Sequence, residues 1–346
     1  MPAIAVADAL AEAGADVSFV GTRERAESKL VPEAGYEIDF LAVRGIDRRN
    51  PLKAAVALGR AGAAIRVARD YLRARSADVV MGGGGYVAAP VGIAASSLKL
   101  PLVLTEADSH LGLANRLLAR RAERVCLAFP IPGREGPRYL LTGRPVPAVI
   151  ARADRAAARR RFGIDPGARC LLIFGGSLGA LTINRAAASA FAPGGPGAGR
   201  DYHVLHIAGA RDYPKLREEL GGVDRYTLLE YEPNLGDALA ASDLVLARSG
   251  GSVFELTAAA RPAVLVPYPH ASGAHQHANA AWMQQAGAAR VVEDSELDAG
   301  RLVAEVEELL CGPPERLAGM EAASRSLARP DAAARVAAEI LSRSGS

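Results

Sequence analysis

Short runs of β-branched and aliphatic residues alternate with segments of helical periodicity along most of this 346-residue chain, and that alternation limits the folds open to it. Strand–helix–strand alternation is typical of βαβ units, whose parallel strands are joined by right-handed crossovers. Two sets of such strands predict an α/β protein with two Rossmann-like domains. The predicted strands are 16–22, 36–43, 78–82, 101–106 and 124–129, then 170–177, 203–209, 227–231, 244–250, 263–269 and 290–294.

The boundary between the two sets falls in 143–155, where two prolines follow a strand. We therefore expect an N-terminal domain over 1–147, a C-terminal domain over 148–328 and a last helix over 329–346. Residues 2–14 are predicted to be a helix with no strand before it. A doubly wound domain normally opens with a strand that feeds its first crossover helix, so this chain begins one element late.

Composition excludes several classes of protein. A net charge of +3 gives no argument for nucleic-acid binding. No apolar stretch approaches the roughly 20 residues of a spanning helix, and no export signal opens the chain. The cysteines Cys126, Cys170 and Cys311 are far apart and match no metal spacing, so we expect all three to be buried in a reducing cytoplasm.

Three glycine-rich turns each end a predicted strand and open a helix: 81–86, 174–180 and 248–255. Glycine lets a ligand approach the backbone, and a helix N-terminus offers unpaired amides to an anion. Any doubly wound fold places small residues at such turns, so one alone is a weak signal. Two such turns lie in the second half of the chain, one carrying a serine and the other a glutamate, and together they favour a diphosphate site. None of the three turns matches the GxxxxGK(S/T) phosphate-binding loop of ATPases or the GxGxxG motif of dinucleotide-binding domains.

The polar stretch 266–280 follows a predicted buried strand and holds His270, His275, Gln276, His277 and Asn279. A metal site, an ordinary polar helix start and a sugar-binding segment are the alternatives. No carboxylate accompanies the histidines, and residues 275 and 277 point to different helix faces. We therefore favour recognition of sugar hydroxyls, and no metal.

Together these motifs resemble the bacterial MurG-type transferases, which add N-acetylglucosamine to lipid I to make lipid II. The segments that carry the resemblance are Gly175–Ala180, Arg248–Glu255 and Pro267–Ala280, in the family's order and at matching spacing. Segments 82–90 and 112–119 match in the first half, so the resemblance covers nearly the whole chain.

The resemblance implies a GT-B fold, with two Rossmann-like domains facing across a cleft and a C-terminal helix crossing back to the first. It implies inverting transfer from UDP-N-acetylglucosamine to lipid I without a metal or other cofactor. The amides of the glycine turns can stabilise a UDP leaving group.

The resemblance also implies a role for particular residues. Ser177 with the 175–180 amides would meet the diphosphate, Glu255 the ribose, Gln276 the sugar, and the backbone near Tyr231 and Glu232 the uracil. The full donor set is Gly176, Ser177, Gly179, Tyr231, Glu232, Gly250, Gly251, Glu255, Gln276, Asn279, Asp108 and Arg144. The acceptor set is Gly83, Gly84, Gly85, Tyr86 and Asn115.

The chain departs from the family pattern at its start. The family begins with a strand and a GGTxGH turn, whose histidine is the expected general base, and Met1 stands just after that place. A start codon assigned too late and a truncated chain are the two explanations, and we favour the first because a lost inner strand would leave a long sheet edge. The catalytic base is therefore unassigned, with Glu106 and His110 as weak candidates.

Smaller departures affect the donor residues. Asp108 stands where the family usually has an amide side chain. The family's donor-contacting arginine would fall at Pro147, whereas Arg144 occupies the position where the family usually has asparagine. The turn before Glu255 is one residue shorter than usual.

A basic segment over 48–75 carries eight basic residues and one acidic residue. It is either a solvated face of a crossover helix or a surface for anionic lipid, where each basic residue contributes roughly 1 kcal/mol. A lipid-linked acceptor favours the second, which predicts a peripheral protein on the cytoplasmic side of the cell membrane.

The alternatives for the function of the whole chain are a related lipid glycosyltransferase, such as one acting on diacylglycerol, and a non-catalytic remnant that binds UDP-sugar.

Overall fold

A computed structural model describes residues 2–43, 51–176, 179–271 and 275–345, with the backbone alone over 51–61. The chain divides into two compact units. The first unit comprises Met1–Pro147 together with Asp331–Ser346, and the second is Ala148–Pro330.

The N-terminal part of the first unit alternates helices and strands. Its elements are α1 (Pro2–Glu12), β1 (Ser18–Gly21), α2 (Glu27–Glu33), β2 (Glu37–Phe40), α3 (Pro51–Ala74), β3 (Val80–Gly82), α4 (Gly85–Ser97), β4 (Leu102–Glu106), α5 (Leu113–Leu118), β5 (Arg124–Leu127) and β6 (Tyr139–Leu141). Strand β6 was not among the predicted strands.

The second unit continues the alternation. Its elements are α6 (Ala148–Arg152), α7 (Arg155–Phe162), β7 (Arg169–Phe174), α8 (Leu181–Phe191), β8 (Tyr202–Ile207), α9 (Tyr213–Leu220), β9 (Tyr226–Leu229), α10 (Leu235–Ala241), β10 (Leu244–Ala247), α11 (Val253–Ala258), β11 (Ala263–Leu265), α12 (His275–Gln285), β12 (Ala289–Val291), a 3-10 helix (Asp294–Glu296), α13 (Ala299–Leu310) and α14 (Pro314–Leu327).

The last helix, α15 (Ala332–Leu341), returns to the first unit and packs against α1. Val6 and Leu10 of α1 share a buried cluster with Val336 and Ile340 of α15. This position of the last helix agrees with the predicted fold class.

The strands of the first unit form two separate parallel sheets, β1-β2 and β3-β4-β5-β6. Among the residues that the structure describes, β1 pairs only with β2 and β3 pairs only with β4, so each strand has one open edge. A cavity of about 1480 Å³ is lined by both of these strands, by Val6 of α1 and by Ile340 of α15. Unpaired backbone groups of β1 and β3 therefore border this cavity.

The second unit has one six-stranded parallel sheet of order β12-β11-β10-β7-β8-β9. Strands β8, β10 and β11 are buried along their whole length, which explains the continuous apolar sequences of β10 and β11. The chain builds outward from β7 through β8 to β9, and then from β10 on the other side. The strand order therefore reverses between β7 and β10, which is where doubly wound folds bind ligands.

The cysteines show one wrong prediction. Cys126 and Cys170 are buried, and burial raises the pKa of each thiol to about 12. Cys311 is exposed, because it follows the last residue of α13 rather than lying on a strand. Within the described ranges we find no helix that combines the length and the apolarity needed to span a bilayer.

Candidate functional site

Two of the glycine turns lie side by side at the reversal point of the second unit. Strands β7 and β10 are hydrogen-bonded neighbours, with Phe174 opposite Ala247. The turns that follow them, 175–180 and 248–252, therefore leave the same edge of the sheet. This edge is formed by the carboxyl ends of the strands, where open α/β sheets bind ligands.

The first turn has no room for a side chain at Gly175 or Gly179. A Cβ on Gly175 would lie 2.3 Å from the amide nitrogen of Ala180, and one on Gly179 would lie 2.2 Å from the carbonyl oxygen of Ala208. Gly176 and Gly179 adopt φ values of 90° and 75°, which glycine tolerates best. Helix α8 begins directly after the turn, and its N-cap residue Ala180 has no side-chain hydrogen bond to the first amides. These amides are suited to an anion. Ser177 lies outside the described residues.

The second turn is tied to helix α12. The Ser249 hydroxyl donates to the carbonyl oxygen of Gln276 at 2.8 Å. The side-chain amide of Asn279 donates to the carbonyl oxygens of Ser249 and Gly250 at 3.0 and 3.3 Å. A Cβ on Gly250 would lie 3.8 Å from Nε2 of Gln276, and the backbone amide of Tyr268 donates to Oε1 of Gln276 at 2.9 Å. Gly250, Gln276 and Asn279 are thus brought together.

The remaining donor candidates of the second unit lie at the same edge of the sheet. Glu255 is half-buried in the first turn of α11, the helix that follows Gly251. Tyr231 is 62% exposed just after β9. Glu232 is buried, and its carboxylate accepts from Arg161 at 2.9 and 2.7 Å and from the amide of Asn234. The Glu232 side chain is therefore engaged within the protein.

Within the described part of the chain, no three His, Cys, Asp or Glu side chains form a group that could hold a metal ion. Nε2 of His277 lies 3.2 Å from Oε2 of Glu293. The ring of His270 packs edge-on against Tyr268, with centroids 5.5 Å apart.

A buried polar network that no motif indicated supports the first turn. His206 lies between the Tyr226 hydroxyl (2.7 Å) and Oδ1 of Asn184 (3.1 Å). The amide of Asn184 donates to Asp212 and to the carbonyl oxygen of Ala208, on which Gly179 packs. Burial lowers the pKa of His206 to about 3, so this imidazole is neutral. A histidine between aliphatic residues in a strand was the only signal in the sequence.

A second overlooked group consists of Arg248, Thr182 and Asp294. Arg248 is the first residue of the second turn and its side chain is only 9% exposed. Its guanidinium nitrogen Nη1 lies 2.5 Å from Oδ1 of Asp294, and the Thr182 hydroxyl donates to Oδ2 of the same carboxylate at 3.1 Å. These three residues are 112 positions apart at most, so no local pattern could associate them.

The glycine turn of the first unit opens α4. Gly84 and Gly85 adopt φ values of 82° and 75°. A Cβ on Gly83 would lie 3.8 Å from the Thr105 hydroxyl, and one on Gly84 would lie 3.9 Å from the side-chain amide of Asn115. Tyr86 is 55% exposed. The acceptor candidates are therefore adjacent, with Asn115 buried beneath the turn.

Glu106 holds the loop that follows β4. Its carboxylate is buried and accepts from the amides of Asp108 (3.2 Å) and Gly112 (2.8 Å) and from the side chain of Asn115 (2.9 Å). This arrangement is that of a loop anchor and leaves the catalytic base unassigned. His110 is exposed in the same loop. Asp108 and Arg144 are half-buried in the first unit, in the segments after β4 and β6.

Two family models match the chain. The model of the glycosyltransferase family 28 N-terminal domain matches residues 1–127, and that of the glycosyltransferase family 28 C-terminal domain matches residues 170–336. Among curated proteins, the UDP-N-acetylglucosamine--N-acetylmuramyl-(pentapeptide) pyrophosphoryl-undecaprenol N-acetylglucosamine transferase of Halorhodospira halophila is 41% identical over 339 residues, 97% of this chain and 92% of that protein. The transferase of the same name from Moorella thermoacetica is 40% identical over 96% of this chain and 92% of that protein.

Solved structures share the fold. The crystal structure of Acinetobacter baumannii MurG matches with a TM-score of 0.76 and 27% identity, over 99% of this chain and 95% of that one. The calicheamicin glycosyltransferase CalG4 matches with a TM-score of 0.70 and 19% identity, over 99% and 94% of the two chains. The second likeness concerns the fold alone.

Proposed function

The chain belongs to the MurG family of GT-B glycosyltransferases, and from that membership we propose that it transfers N-acetylglucosamine from UDP-N-acetylglucosamine to lipid I. Lipid I is the undecaprenyl-pyrophosphoryl-N-acetylmuramic acid pentapeptide, and its glycosylation gives lipid II for peptidoglycan synthesis. The 4-hydroxyl oxygen of the muramic acid attacks the anomeric carbon, and the bond from that carbon to UDP breaks with inversion. The hydroxyl proton passes to a general base.

The observation that carries the proposal is the pair of glycine turns at the reversal point of the second unit. The described glycines of the first turn, Gly175, Gly176 and Gly179, and the N-terminus of α8 lie at the edge where a UDP diphosphate would bind, and α8 is long enough for its dipole to favour a dianion. Charge develops on this diphosphate as the bond to the sugar breaks, so donors fixed in advance lower the barrier. We propose that no metal ion is needed for this stabilisation.

The residues beside the turns are proposed to hold the rest of the donor. Gln276 and Asn279 are joined to the second turn by hydrogen bonds, which supports the proposal that Gln276 contacts the sugar hydroxyls. Glu255 would bind the ribose, and the backbone near Tyr231 would face the uracil.

The turn that opens α4 is proposed to receive the acceptor diphosphate. Gly83, Gly84 and Gly85 give the backbone close access, and α4 adds a 13-residue helix dipole. Asn115 lies beneath this turn and donates to the carbonyl oxygen of Thr105 and to the carboxylate of Glu106 at the end of β4. Tyr86 extends from the same turn into solvent.

We further propose that the protein binds the cytoplasmic surface of the membrane peripherally. The side chains of the first half of the basic segment, 48–61, lie outside the described ones, and the second half presents exposed Arg66, Val67 and Arg73. Apolar Leu113 and Leu117 are also exposed on the first unit. Basic and apolar side chains together suit an anionic lipid surface.

An assay of UDP release distinguishes the proposed acceptor from the alternatives. Release should require lipid I, should not occur with diacylglycerol, and should persist in EDTA. Release with diacylglycerol would point to a different lipid glycosyltransferase. UDP binding without release on any acceptor would identify a non-catalytic binding protein, and loss of release in EDTA would contradict the metal-independent reaction.

Flotation with vesicles tests the membrane surface. Binding to vesicles that contain anionic lipid should weaken as salt rises from 0.1 to about 0.5 M, because the charges on the surface become screened. Binding to neutral vesicles of equal strength, or binding that salt does not change, would contradict the electrostatic part of the proposal.

A further inference from the structure

The cation at the start of the second glycine turn is held inside the protein. Besides the contact with Asp294, Nη1 of Arg248 donates to the carbonyl oxygens of Val266 (3.1 Å) and Pro267 (3.4 Å). The guanidinium carbon lies 5.4 Å from the centroid of the Tyr268 ring. Arg248 is thus fixed by the segments that follow β11 and β12.

Asp294 connects this cation to the helix behind the first glycine turn. It begins the 3-10 helix Asp294–Glu296, shortly after β12 ends. One carboxylate oxygen meets Arg248, and the other accepts from the hydroxyl of Thr182 in the first turn of α8. A single side chain therefore bridges both elements that surround the proposed diphosphate site.

The charge balance gives this bridge a second effect. Arg248 is nearly buried, and a buried guanidinium without a counter-ion is strongly unfavourable. With Asp294 in place, the charge is neutralised inside the protein. Without it, the guanidinium would have to move toward water or recruit an anion, and the nearest anion would be the donor diphosphate.

We propose that Asp294 is a positioning residue for the donor diphosphate. It fixes the second turn, through Arg248, relative to the first turn of α8, through Thr182. It also holds the Arg248 guanidinium in contacts within the protein, so that Arg248 does not bind the phosphates. The proposal rests on the proposed function, since it assumes that the two turns bind UDP.

The test compares UDP with uridine, which lacks the diphosphate. In Asp294→Ala we expect the dissociation constant for UDP to rise about tenfold or more, because small displacements of fixed donors are costly. That for uridine should stay within about twofold of the wild type. Thr182→Val, which removes one hydrogen bond, should raise the dissociation constant for UDP about threefold. The double variant should be no weaker than Asp294→Ala, because both changes break one bridge.

Glu296→Gln is the matched control, since Glu296 is an exposed carboxylate in the same 3-10 helix. It should bind UDP as the wild type does. If Asp294→Ala weakened the binding of UDP and of uridine equally, the whole binding site would be disturbed and the proposal would be overturned. Tighter UDP binding would also overturn it, because it would mean that a released Arg248 serves as a phosphate ligand.

Amide hydrogen exchange of the ligand-free protein tests the bridge independently of the function. The amides of 179–184 and 249–253 should exchange faster in Asp294→Ala than in Glu296→Gln. Unchanged exchange in both segments would overturn the proposed bridge even if UDP binding fell. If the wild type binds no UDP, the proposed function fails, and the exchange experiment still decides whether Asp294 joins the turns.

Discussion

Gly179 shows at the scale of one residue how closely the first glycine turn packs on its neighbour. Its φ of 75° disfavours any side chain, and an added Cβ would lie 2.2 Å from the carbonyl oxygen of Ala208. Gly194 has a similar φ of 83° but no atom within 4 Å of an added Cβ. The two positions therefore separate backbone strain from steric conflict.

We expect Gly194→Ala to lower the free energy of unfolding by about 1–2 kcal/mol, the cost of a left-handed conformation. Gly179→Ala should lower it by about 3 kcal/mol or more, because the displacement of Ala208 adds to that cost. It should also weaken UDP binding, whereas Gly194→Ala should not. Urea unfolding and calorimetry measure both effects. Equal losses of stability in the two variants would contradict the packing argument.

His206 makes stability depend on pH. Its pKa is lowered to about 3 in the folded protein by burial, against about 6.5 in the unfolded chain. Below pH 6.5 the unfolded chain binds a proton that the folded protein does not, so stability must fall as pH falls. The loss approaches about 1.4 kcal/mol per pH unit until the folded-state pKa is reached.

Urea unfolding between pH 7.5 and 4.5 measures this effect. His206→Gln should be less stable than the wild type at pH 7.5, because the bonds to Tyr226 and Asn184 are disturbed. Its stability should nevertheless decline less steeply below pH 6. His110→Gln, a change at an exposed loop residue, should follow the wild-type curve. Parallel curves for all three proteins would exclude His206 as the cause.

At the scale of elements, the open edges of β1 and β3 distinguish them from the inner strands of the first unit. Strands β4 and β5 have partners on both sides, whereas β1 and β3 each border the cavity on one side. We expect the amides of β1 and β3 to exchange hydrogen faster than those of β4 and β5, since open edges admit water and local opening. Equal protection across the four strands would contradict the division into two sheets.

The elements that the sequence predicts well are those with a local pattern. All eleven predicted strands overlap strands of the structure, because short apolar runs between helical segments are set by burial on both faces of a parallel sheet. The missed strand, β6, has only three residues and is not fully buried, so its sequence carries little signal. Cys311 was placed wrongly because exposure at a helix end depends on packing that composition does not reveal.

In the candidate site, too, the residues that the sequence indicates are those that belong to a local pattern. The glycine turns, Gln276 and Asn279 belong to continuous segments with a recognisable order, so sequence alone indicates them. Contacts between distant segments could not be predicted in this way. Asp294 reaches Arg248 and Thr182 only because β12, β10 and β7 end at the same edge of one sheet.

At the scale of the whole molecule, the two units each have their own buried cluster of apolar residues. A ligand that binds one unit stabilises that unit by an amount set by its concentration relative to the dissociation constant. Because the proposed uracil, ribose and diphosphate contacts of UDP all lie in the second unit, its stabilisation should be unequally distributed along the chain.

With UDP at about 100 times its dissociation constant, the second unit should gain about 2.7 kcal/mol, so its most protected amides should exchange about 100-fold more slowly. Those amides lie in the buried strands β7, β8 and β10, while those of β4 and β5 report on the first unit. Exchange in β4 and β5 should change by less than about threefold. Equal slowing in both units would mean that they open as one cooperative body or that UDP binds both. Repeating the measurement with Gly179→Ala at the same free UDP concentration should remove most of the slowing in β7, β8 and β10, because the damaged turn no longer holds the diphosphate.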